Sequence, residues 1–371
     1  DQSIDLVVNL SASPFETDKL DRRIELCQKA AKKIGGVVAL CNQVGGNDSL
    51  IFDGHSLVTD EKNIIAMAKG FVQDQLIFEL GQPPNSISFP SKYQQLYQAL
   101  VLGIRDYFHK QGFKKAILGL SGGIDSALVC ALATEALGKE HVLAVSMPSR
   151  FSSDHSVNDA KQLAKNLGII LKKIPIETVH ASYLELFKEP FEGLKEDVTE
   201  ENIQSRIRGM ILMAFSNKFG GLVISCGNKS EMAMGYATLY GDLTGGLSAI
   251  ADVTKTEVYA LTRWINKDKE VIPQNILDKD PSAELRPNQK DADSLPCYEE
   301  LDAIILDYLE KHLDLQSIAK NHSLELKHVT SIVEKIQRAE YKRSQTPIGL
   351  KVSSQSFSVD WQYPIVHKMQ P

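Results

Sequence analysis

The sequence has 371 residues, 43% of them hydrophobic and 24% charged, and a formal net charge of −6. This length suggests two or more domains, and the composition is that of an ordinary globular protein. The acidic balance argues against a general binder of nucleic acid or membrane surfaces, and no apolar run approaches the ~20 residues that cross a bilayer. No signal peptide is recognisable, and the five cysteines have no C-x-x-C spacing, so we expect reduced thiols in a cytoplasmic protein.

The first part of the chain, to about residue 88, is predicted to combine strands with one amphipathic helix. The expected elements are strands at 4–10, 36–42, 50–52 and 56–59, a helix at about 18–34 and a loop at 42–48. Asp53-Gly54 is a hairpin signal between the last two strands. The first strand is expected to be a core strand, which hints at further sequence upstream. Residues Gln82–Ser86 have the composition of a linker.

From about residue 93 the pattern changes to a regular alternation of strands and helices. Strands are predicted near 115–120, 141–147, 169–174 and 221–225, and helices near 93–111, 124–137, 153–167 and 199–218. This order predicts an α/β fold with a doubly wound parallel sheet, whose ligands bind at the carboxyl ends of the strands. The chain beyond about residue 298 is expected to be helical and polar. The helix at 199–218 is predicted to bury the stripe Ile203, Ile207, Met210, Ile211 and Ala214.

The most informative stretch, Gly119–Ser126, places a glycine turn between a predicted strand and a predicted helix. This layout directs backbone N–H groups and a helix N-terminus at a phosphate, and Asp125 is placed to hold Mg²⁺. A Walker loop would need a lysine after its glycines, which this turn lacks. The turn resembles the pyrophosphate loop of the N-type ATP pyrophosphatases, which cleave ATP between its α- and β-phosphates. The alternative is an ordinary β-α turn.

A second group of polar residues, Cys226–Asp242, follows the strand predicted near 221–225 and therefore lies at the same edge of the sheet. Glu231 offers a second carboxylate for Mg²⁺, which prefers hard oxygen ligands. Considered alone, Glu231 fits better as a carboxylate that stabilises the start of a helix.

Several sequence blocks, in this order, resemble the NAD⁺ synthetase family over roughly residues 100–350. They are Ser121–Ser126, Glu201–Arg208, Gly227–Glu231, Tyr240–Asp242, Lys255–Thr256, Pro281–Asp291 and Lys342–Arg343. The resemblance implies a synthetase domain at 89–371 with the fold of the ATP pyrophosphatases, also described as adenine nucleotide α-hydrolase-like. One departure is Cys226, which stands where the family usually carries threonine, a stronger hydrogen-bond donor.

The N-terminal blocks Asn9–Phe15, Asn42–Gly46 and Phe52–Ser56 resemble the last third of the glutaminase domain of that family's glutamine-dependent branch. This implies that residues 1–88 are the C-terminal part of an α/β nitrilase-like sandwich. The family's Glu-Lys-Cys triad would lie before these blocks, so we expect this sequence to use ammonia and the full-length parent to use glutamine. Cys27 and Cys41 do not match the nucleophile and are predicted to be core thiols.

The resemblance also implies the reaction. The nicotinate carboxylate of deamido-NAD⁺ attacks the α-phosphorus of ATP, pyrophosphate leaves, and ammonia displaces AMP from the acyl-adenylate. Such a transfer needs mainly positioning and charge neutralisation. The catalytic residues would be Asp125, Lys255 and Asp242, with Asp242 as the base that accepts a proton from ammonium.

The binding residues implied by the resemblance fall into three sets. ATP would be bound by Gly119, Leu120, Ser121, Gly122, Gly123, Ile124, Asp125, Ser126, Cys226 and Lys255. Deamido-NAD⁺ would be bound by Asn202, Glu231, Tyr236, Leu239 and Lys342, and Mg²⁺ by Asp125 and Glu231.

Alternatives stay open at several positions. Asp242 could be a turn aspartate, Lys342 an exposed lysine, and Arg206 and Arg208 a structural pair rather than substrate contacts. Other pyrophosphatase-loop enzymes, such as GMP synthetase, asparagine synthetase and tRNA-modifying ligases, share the loop but lack the blocks Gly227–Glu231 and Pro281–Leu285. A non-catalytic nucleotide-binding subunit is the alternative of a different class. By analogy with the family we expect a homodimer or a larger homo-oligomer.

Overall fold

The N-terminal part of the computed structural model, which describes residues 4–81, 87 and 89–366, is a four-stranded sheet packed against one helix. Its elements are β1 (Leu6–Ser11), α1 (Lys19–Ile34), β2 (Val37–Asn42), β3 (Val44–Asn47), β4 (Leu50–Asp53), β5 (Leu57–Thr59) and β6 (Ile64–Met67). The sheet has the order β1-β2-β5-β6, with β1 and β2 parallel and the other pairs antiparallel. α1 ends at Gly35, whose φ of +67° favours glycine. The first strand, the helix and the second strand lie where the sequence predicted them.

The hairpin predicted at Asp53-Gly54 is wrong. β4 pairs antiparallel with β3, so the turn lies between Asn47 and Leu50, where Asp48 has a φ of +52°. β5 belongs to the other sheet and pairs with β2 and β6. Asp53 is not a turn residue because its buried carboxylate forms an ion pair with Arg23, at 3.0 Å. Residues 44–47, predicted to be a loop, form β3.

Two burial predictions for this part are also wrong. β1 was expected to be a core strand, but it lies at the edge of its sheet and exposes Leu6, Val8 and Leu10. Cys41, predicted to be a core thiol, is exposed, whereas Cys27 is buried against the sheet as expected. Both errors have one cause, because alternate residues of an edge strand and its neighbour face opposite sides of the sheet. All five cysteines are free thiols.

The larger part of the chain contains a six-stranded, fully parallel sheet and the helices that cover it. Its elements are α2 (Lys92–Gln111), β7 (Ala116–Gly119), α3 (Ile124–Leu137), β8 (Val142–Ser146), α4 (Asp154–Leu167), β9 (Ile170–Lys173), α5 (Glu177–Phe187), α6 (Val198–Phe219), β10 (Leu222–Ser225), α7 (Lys229–Met234), β11 (Leu247–Ser248), α8 (Lys255–Ile265), α9 (Gln274–Asp278), α10 (Tyr298–Ile305), α11 (Leu315–Asn321), α12 (Leu326–Arg338), α13 (Glu340–Arg343) and β12 (Ile348–Gly349). The doubly wound parallel sheet is confirmed, with the strand order β12-β11-β10-β7-β8-β9.

The strand order determines where on the sheet a ligand-binding crevice forms. From β7 the chain builds outward through β8 and β9, and it then returns to the other side of β7 to build β10, β11 and β12. The direction of winding therefore reverses between β7 and β10, and a crevice opens outside the carboxyl ends of these two strands. The glycine turn follows β7 and the segment from Cys226 follows β10, so the sheet brings the two predicted blocks together. α3 is buried over almost its whole length in the core beneath them.

The C-terminal helices form a second core and connect back to the N-terminal part. α12 buries Val329, Ile332, Val333 and Ile336 against α10 and α11, so this region is less polar inside than the sequence suggested. The segment after β12 carries backbone hydrogen bonds between Thr17 and Val352 and between Lys351 and Ser49, each 2.8 Å. The predicted linker Gln82–Ser86 lies outside the described residues, and the boundary at 88/89 stays a prediction. Within the described ranges no helix is long and apolar enough to cross a membrane.

Candidate active site

The glycine turn between β7 and α3 has the geometry of an anion site. Gly122 has a φ of +84°, and a Cβ there would lie 2.2 Å from the carbonyl oxygen of Ser156 on α4, so only glycine fits. The Ser126 hydroxyl donates to the Gly123 carbonyl at 3.0 Å and accepts from the Ser121 N–H at 3.3 Å, which fixes the turn. The N-terminus of α3 has no side-chain cap. Its first N–H groups are therefore available to an external anion.

A buried cluster of one cation and two carboxylates lies beside this turn. Lys255, the first residue of α8, places its Nζ 2.5 Å from Asp125 Oδ2 and 3.5 Å from Glu231 Oε1. The side chain of Lys255 is 3% exposed, whereas those of the two carboxylates are 17% and 18% exposed and face the crevice. Asn228 Nδ2 donates to Asp125 Oδ1 at 2.9 Å. This geometry brings together the three residues that the sequence predicted for metal and phosphate.

The electrostatics of the cluster favour a further positive charge. Burial, and next the charge of Asp125, raise the pKa of the Glu231 carboxyl, and Lys255 only partly opposes this. The pKa of Lys255 is raised by its two carboxylate neighbours in spite of burial, so its ammonium is retained. When both carboxyls are ionised, the two carboxylates that face one lysine in the low-dielectric crevice leave a net negative charge. A cation placed between them would relieve it.

Glu231 satisfies both interpretations that the sequence left open. It is the third residue of α7 and forms a capping box with Asn228: Glu231 N–H donates to Asn228 Oδ1 at 3.0 Å, and Asn228 N–H donates to Glu231 Oε2 at 3.2 Å. The other oxygen of the same carboxylate faces Lys255. The helix start therefore fixes the carboxylate in the orientation that the cluster needs.

Asp242 lies on the turn that follows α7. Its Oδ1 accepts from Ser205 Oγ at 2.8 Å and from the Thr238 N–H at 2.7 Å. Thr238 in turn donates its hydroxyl to Asn202 Oδ1 at 2.7 Å. The aspartate is thus a turn residue, and it also lines the crevice. Both alternatives for this residue are compatible with its position.

The face that α6 turns towards the crevice differs from the predicted stripe. Ile207 is buried and Ile203 and Ile211 pack against the core, but Met210 is 71% exposed and Ala214 is also exposed. Polar side chains take the inner positions, because Gln204 donates to the Leu285 carbonyl and Ser205 donates to Asp242. The predicted burial of Met210 and Ala214 is therefore wrong.

Arg206, Arg208 and Lys342, whose roles the sequence left open, have different surroundings in the structure. Arg206 is exposed and its Nε donates to the Leu239 carbonyl, at 3.2 Å. Arg208 lines the crevice, with its Nε donating to the Met147 carbonyl, and burial lowers its pKa to about 10. Lys342 is not an exposed lysine: its Nζ donates to the carbonyl oxygens of Gly235 and Ala237, and burial lowers its pKa.

The crevice encloses a cavity of ≈ 450 Å³, a size that suits a small-molecule ligand. Of the predicted site residues, all line it except Gly122, which packs against α4, and Leu239, which is half-buried outside it. Cys226 lies in its wall, and burial raises the pKa of its thiol, so a neutral thiol rather than a nucleophilic thiolate faces the cavity.

Three groups of residues in or beside this cavity had no role assigned from the sequence. Asp291 accepts from the hydroxyls of Tyr298, at 2.8 Å, and Tyr236, at 3.4 Å, and burial raises its pKa. Asn228 orients both carboxylates of the cluster, and the Asn-x-x-Glu capping pattern could have identified it. A third group, Lys279 and Glu284 with the serines at the start of α4, comes together only through tertiary structure.

Comparison with known proteins gives one consistent result. A family model described as NAD synthase matches residues 96–346. The chain is 49% identical to the glutamine-dependent NAD(+) synthetase of Synechocystis sp., over 100% of this chain and 68% of the relative. It is 43% identical to the enzyme of the same name from Thermotoga maritima, over 100% of this chain and 71% of the relative. The solved structure of a glutamine-dependent NAD+ synthetase from Acinetobacter baumannii in complex with ADP matches with a TM-score of 0.73 and 38% identity, covering 98% of this chain and 68% of that one.

Proposed function

The chain belongs to the NAD synthase family and is a ligase of that type, and on this premise we propose that it converts deamido-NAD⁺ to NAD⁺ through an acyl-adenylate. The observation that carries the proposal is the cluster of Asp125, Lys255 and Glu231, which lies beside the uncapped N-terminus of α3. It places charge-neutralising groups where the phosphates of a bound nucleotide would lie. ADP in the Acinetobacter baumannii relative supports ATP as the nucleotide here.

Adenylation overcomes a specific chemical difficulty. A carboxylate resists attack by ammonia because its charge is delocalised and oxide is a poor leaving group. When a carboxylate oxygen of deamido-NAD⁺ attacks the α-phosphorus of ATP, the bond from that phosphorus to the β-phosphate oxygen breaks and pyrophosphate takes the electron pair. The Gly119–Ser126 turn would hold the phosphates, and Lys255 would stabilise the charge that develops on them. Ammonia then attacks the acyl carbon, and AMP leaves with the bridging oxygen.

The residues present fit a Mg²⁺ ion shared with ATP. Asp125 and Glu231 supply two hard oxygen ligands. Burial, and next the charge of Asp125, raise the pKa of Glu231, and a divalent cation would stabilise its ionised form against both. No cluster of three or more metal-ligating side chains occurs in the part of the chain that the structure describes, so phosphate oxygens and water would complete the coordination. Bound there, Mg²⁺ would neutralise phosphate charge as a Lewis acid.

Asn202, Tyr236 and Lys342 line the end of the cavity near Asp242, and we assign deamido-NAD⁺ to this end. Asp242 lines the cavity and is fixed by Ser205 and Thr238, which suits a group that binds ammonium and accepts its proton. Ammonium needs such a base because its pKa lies well above neutral. Leu239 does not line the cavity, so the geometry gives no support to a contact between this residue and deamido-NAD⁺.

The nitrogen donor for this sequence is ammonia in our proposal, although the relatives are named glutamine-dependent. Of the two thiols in the N-terminal part, Cys27 is buried and burial raises its pKa, which does not suit a nucleophile. Cys41 is exposed on β2 and does not match the position of the family's nucleophile. We also propose that the chain forms homo-oligomers and acts in the cytoplasm. Size-exclusion chromatography with light scattering would test the oligomeric state.

The decisive assay uses ATP, Mg²⁺ and deamido-NAD⁺ carrying ¹⁸O in its nicotinate carboxylate, with ammonium in one reaction and glutamine in another. We expect NAD⁺ from ammonium only, with AMP and pyrophosphate formed in equal amounts. Because the carboxylate oxygen bridges to phosphorus, one ¹⁸O label per turnover should appear in AMP. ADP as the product, or AMP without label, would overturn the acyl-adenylate mechanism. ATP that is bound but never cleaved would favour a non-catalytic nucleotide-binding subunit.

A further inference from the structure

A carboxylate from a distant loop is held by a set of donors immediately beside the phosphate turn. Glu284 Oε1 accepts from Ser153 Oγ at 3.0 Å, from Ser156 Oγ at 2.8 Å and from Lys279 Nζ at 2.6 Å. Ser153 N–H also donates to Glu284 Oε2, at 3.4 Å, and Lys279 Nζ donates to Ser156 Oγ. Although burial opposes it, these hydrogen bonds keep the pKa of Glu284 below its ordinary value, so the group they hold is an anion.

These donors lie next to the glycine turn. The backbone of Ser156 packs so closely on Gly122 that a single added carbon atom would collide with it. Ser156 and Lys279 line the same cavity as Asp125 and Lys255. The phosphate turn and the donors that hold Glu284 therefore form two walls of one space.

The negative charge that develops on the departing pyrophosphate favours a cation beside the glycine turn. Lys255 is shared between two carboxylates, and the glycine turn carries no lysine of its own. A departing pyrophosphate carries more negative charge than the triphosphate carried on the same two phosphorus atoms. A lysine that is 29% exposed at the cavity edge, and that a loop carboxylate and a serine hold, can turn to such an anion.

We propose that Lys279 is a second phosphate-neutralising residue of the reaction, which binds the β- and γ-phosphates of ATP and the pyrophosphate that leaves. Ser153 and Ser156 assist it, and the Glu284 carboxylate occupies their donors until the phosphates displace it. The electron pair of the breaking bond between the α-phosphorus and its bridging oxygen stays on the pyrophosphate, and Lys279 and Lys255, which line the same cavity, neutralise that charge. The assignment of pyrophosphate rests on the proposed function of this site.

The test measures direct binding of magnesium pyrophosphate by titration calorimetry, which does not depend on turnover. We expect Lys279→Gln to weaken binding about ten- to hundredfold, the value of one charge-assisted hydrogen bond, and Lys279→Arg to retain most of it. AMP binding should be unchanged in both variants. Lys290→Gln is the matched control, because Lys290 lies on the same loop, pairs with Asp280 at 2.7 Å and is 60% exposed.

Glu284→Gln separates this role from a purely structural one. If the Glu284 carboxylate occupies the phosphate-binding donors until phosphate arrives, the neutral glutamine of the variant should compete less for those donors. Pyrophosphate should then bind several-fold more tightly. If Lys279 and Glu284 only brace the loop, both variants should weaken binding alike, and that result overturns the proposal. So does unchanged pyrophosphate binding in Lys279→Gln. Failure of the wild-type chain to label AMP in the isotope assay would instead overturn the proposed function.

Discussion

Two buried ionic clusters, one in each part of the molecule, both pair basic side chains with carboxylates and differ in charge balance. In the N-terminal part, Arg23 makes two hydrogen bonds of 3.0 Å to the two oxygens of Asp53, and His55 Nδ1 lies 2.8 Å from one of them. In the synthetase part, Lys255 faces both Asp125 and Glu231. The first cluster is closed, since one cation matches one carboxylate and both are buried. The second is open, since an unmatched carboxylate faces a cavity.

This difference separates structural from functional burial of charge. A closed ion pair holds a layer together and leaves no charge for a ligand. An open cluster is less favourable in the empty protein and becomes favourable when a ligand supplies the missing charge. The pKa values follow the same division: hydrogen bonds from His55 and Arg23 outweigh burial and lower the pKa of Asp53, whereas burial and Asp125 raise that of Glu231.

The largest effect is expected from breaking the closed cluster. Arg23→Met leaves the Asp53 carboxylate buried beside His55 and the Asn42 amide, without the arginine's charge. The free energy of unfolding of the N-terminal layer should fall by about 3–5 kcal/mol. Urea denaturation followed by circular dichroism measures this. Arg22→Met is the control, because the neighbouring Arg22 is exposed on the same helix. Loss of NAD⁺ synthesis per folded molecule, with stability unchanged, would mean that this cluster too is functional.

Lys255→Met should have the reverse effect, with a large loss of catalytic rate and little loss of stability. Its charge is needed as pyrophosphate leaves, so kcat for NAD⁺ formation should fall on the order of 10²–10³-fold. The thermal midpoint should change little, since the Asp125 and Glu231 side chains that lose their partner are 17% and 18% exposed at the cavity. Lys267→Met, just after the same helix and 54% exposed, should leave kcat unaltered. A loss of stability as large as that of Arg23→Met, without a kinetic defect, would contradict the distinction between the clusters.

The sequence predicted the open cluster better than the closed one, for a physical reason. Asp125 and Glu231 each follow a strand and begin a helix, so local signals place both at the carboxyl edge of one sheet. Asp53 is also next to a glycine, a strong local turn signal, but its partner Arg23 lies 30 residues away and the tertiary ion pair overrides the turn. The site was predictable wherever its position depends on strand ends.

What the sequence could not predict depends on contacts between distant elements. Met210 has the spacing of a buried stripe, yet α6 turns Gln204 and Ser205 inward because Leu285 and Asp242 need donors there. β11 and β12 are two residues long each, too short for an alternating pattern. Lys279 reaches Ser156 across 123 residues of sequence, and no local pattern marks the pair.

The smallest expected effect is a pH dependence of opposite sign in the two clusters. The folded pKa of Glu231 is raised to about 8, so its contribution to stability is complete below its unfolded pKa of about 4.5 and is lost as the pH rises towards 8. Without ligand, Glu231→Gln should therefore gain thermal stability relative to wild type, by a few degrees, across that range. The folded pKa of Asp53 is lowered, so its contribution is present above pH 3.8 and is lost as the pH falls below that value. Asp53→Asn should accordingly lose most stability relative to wild type at neutral pH and least in acid. Melting curves of the three proteins from pH 3 to pH 9 measure both trends, and parallel curves for the two variants would show that the clusters do not differ in charge balance.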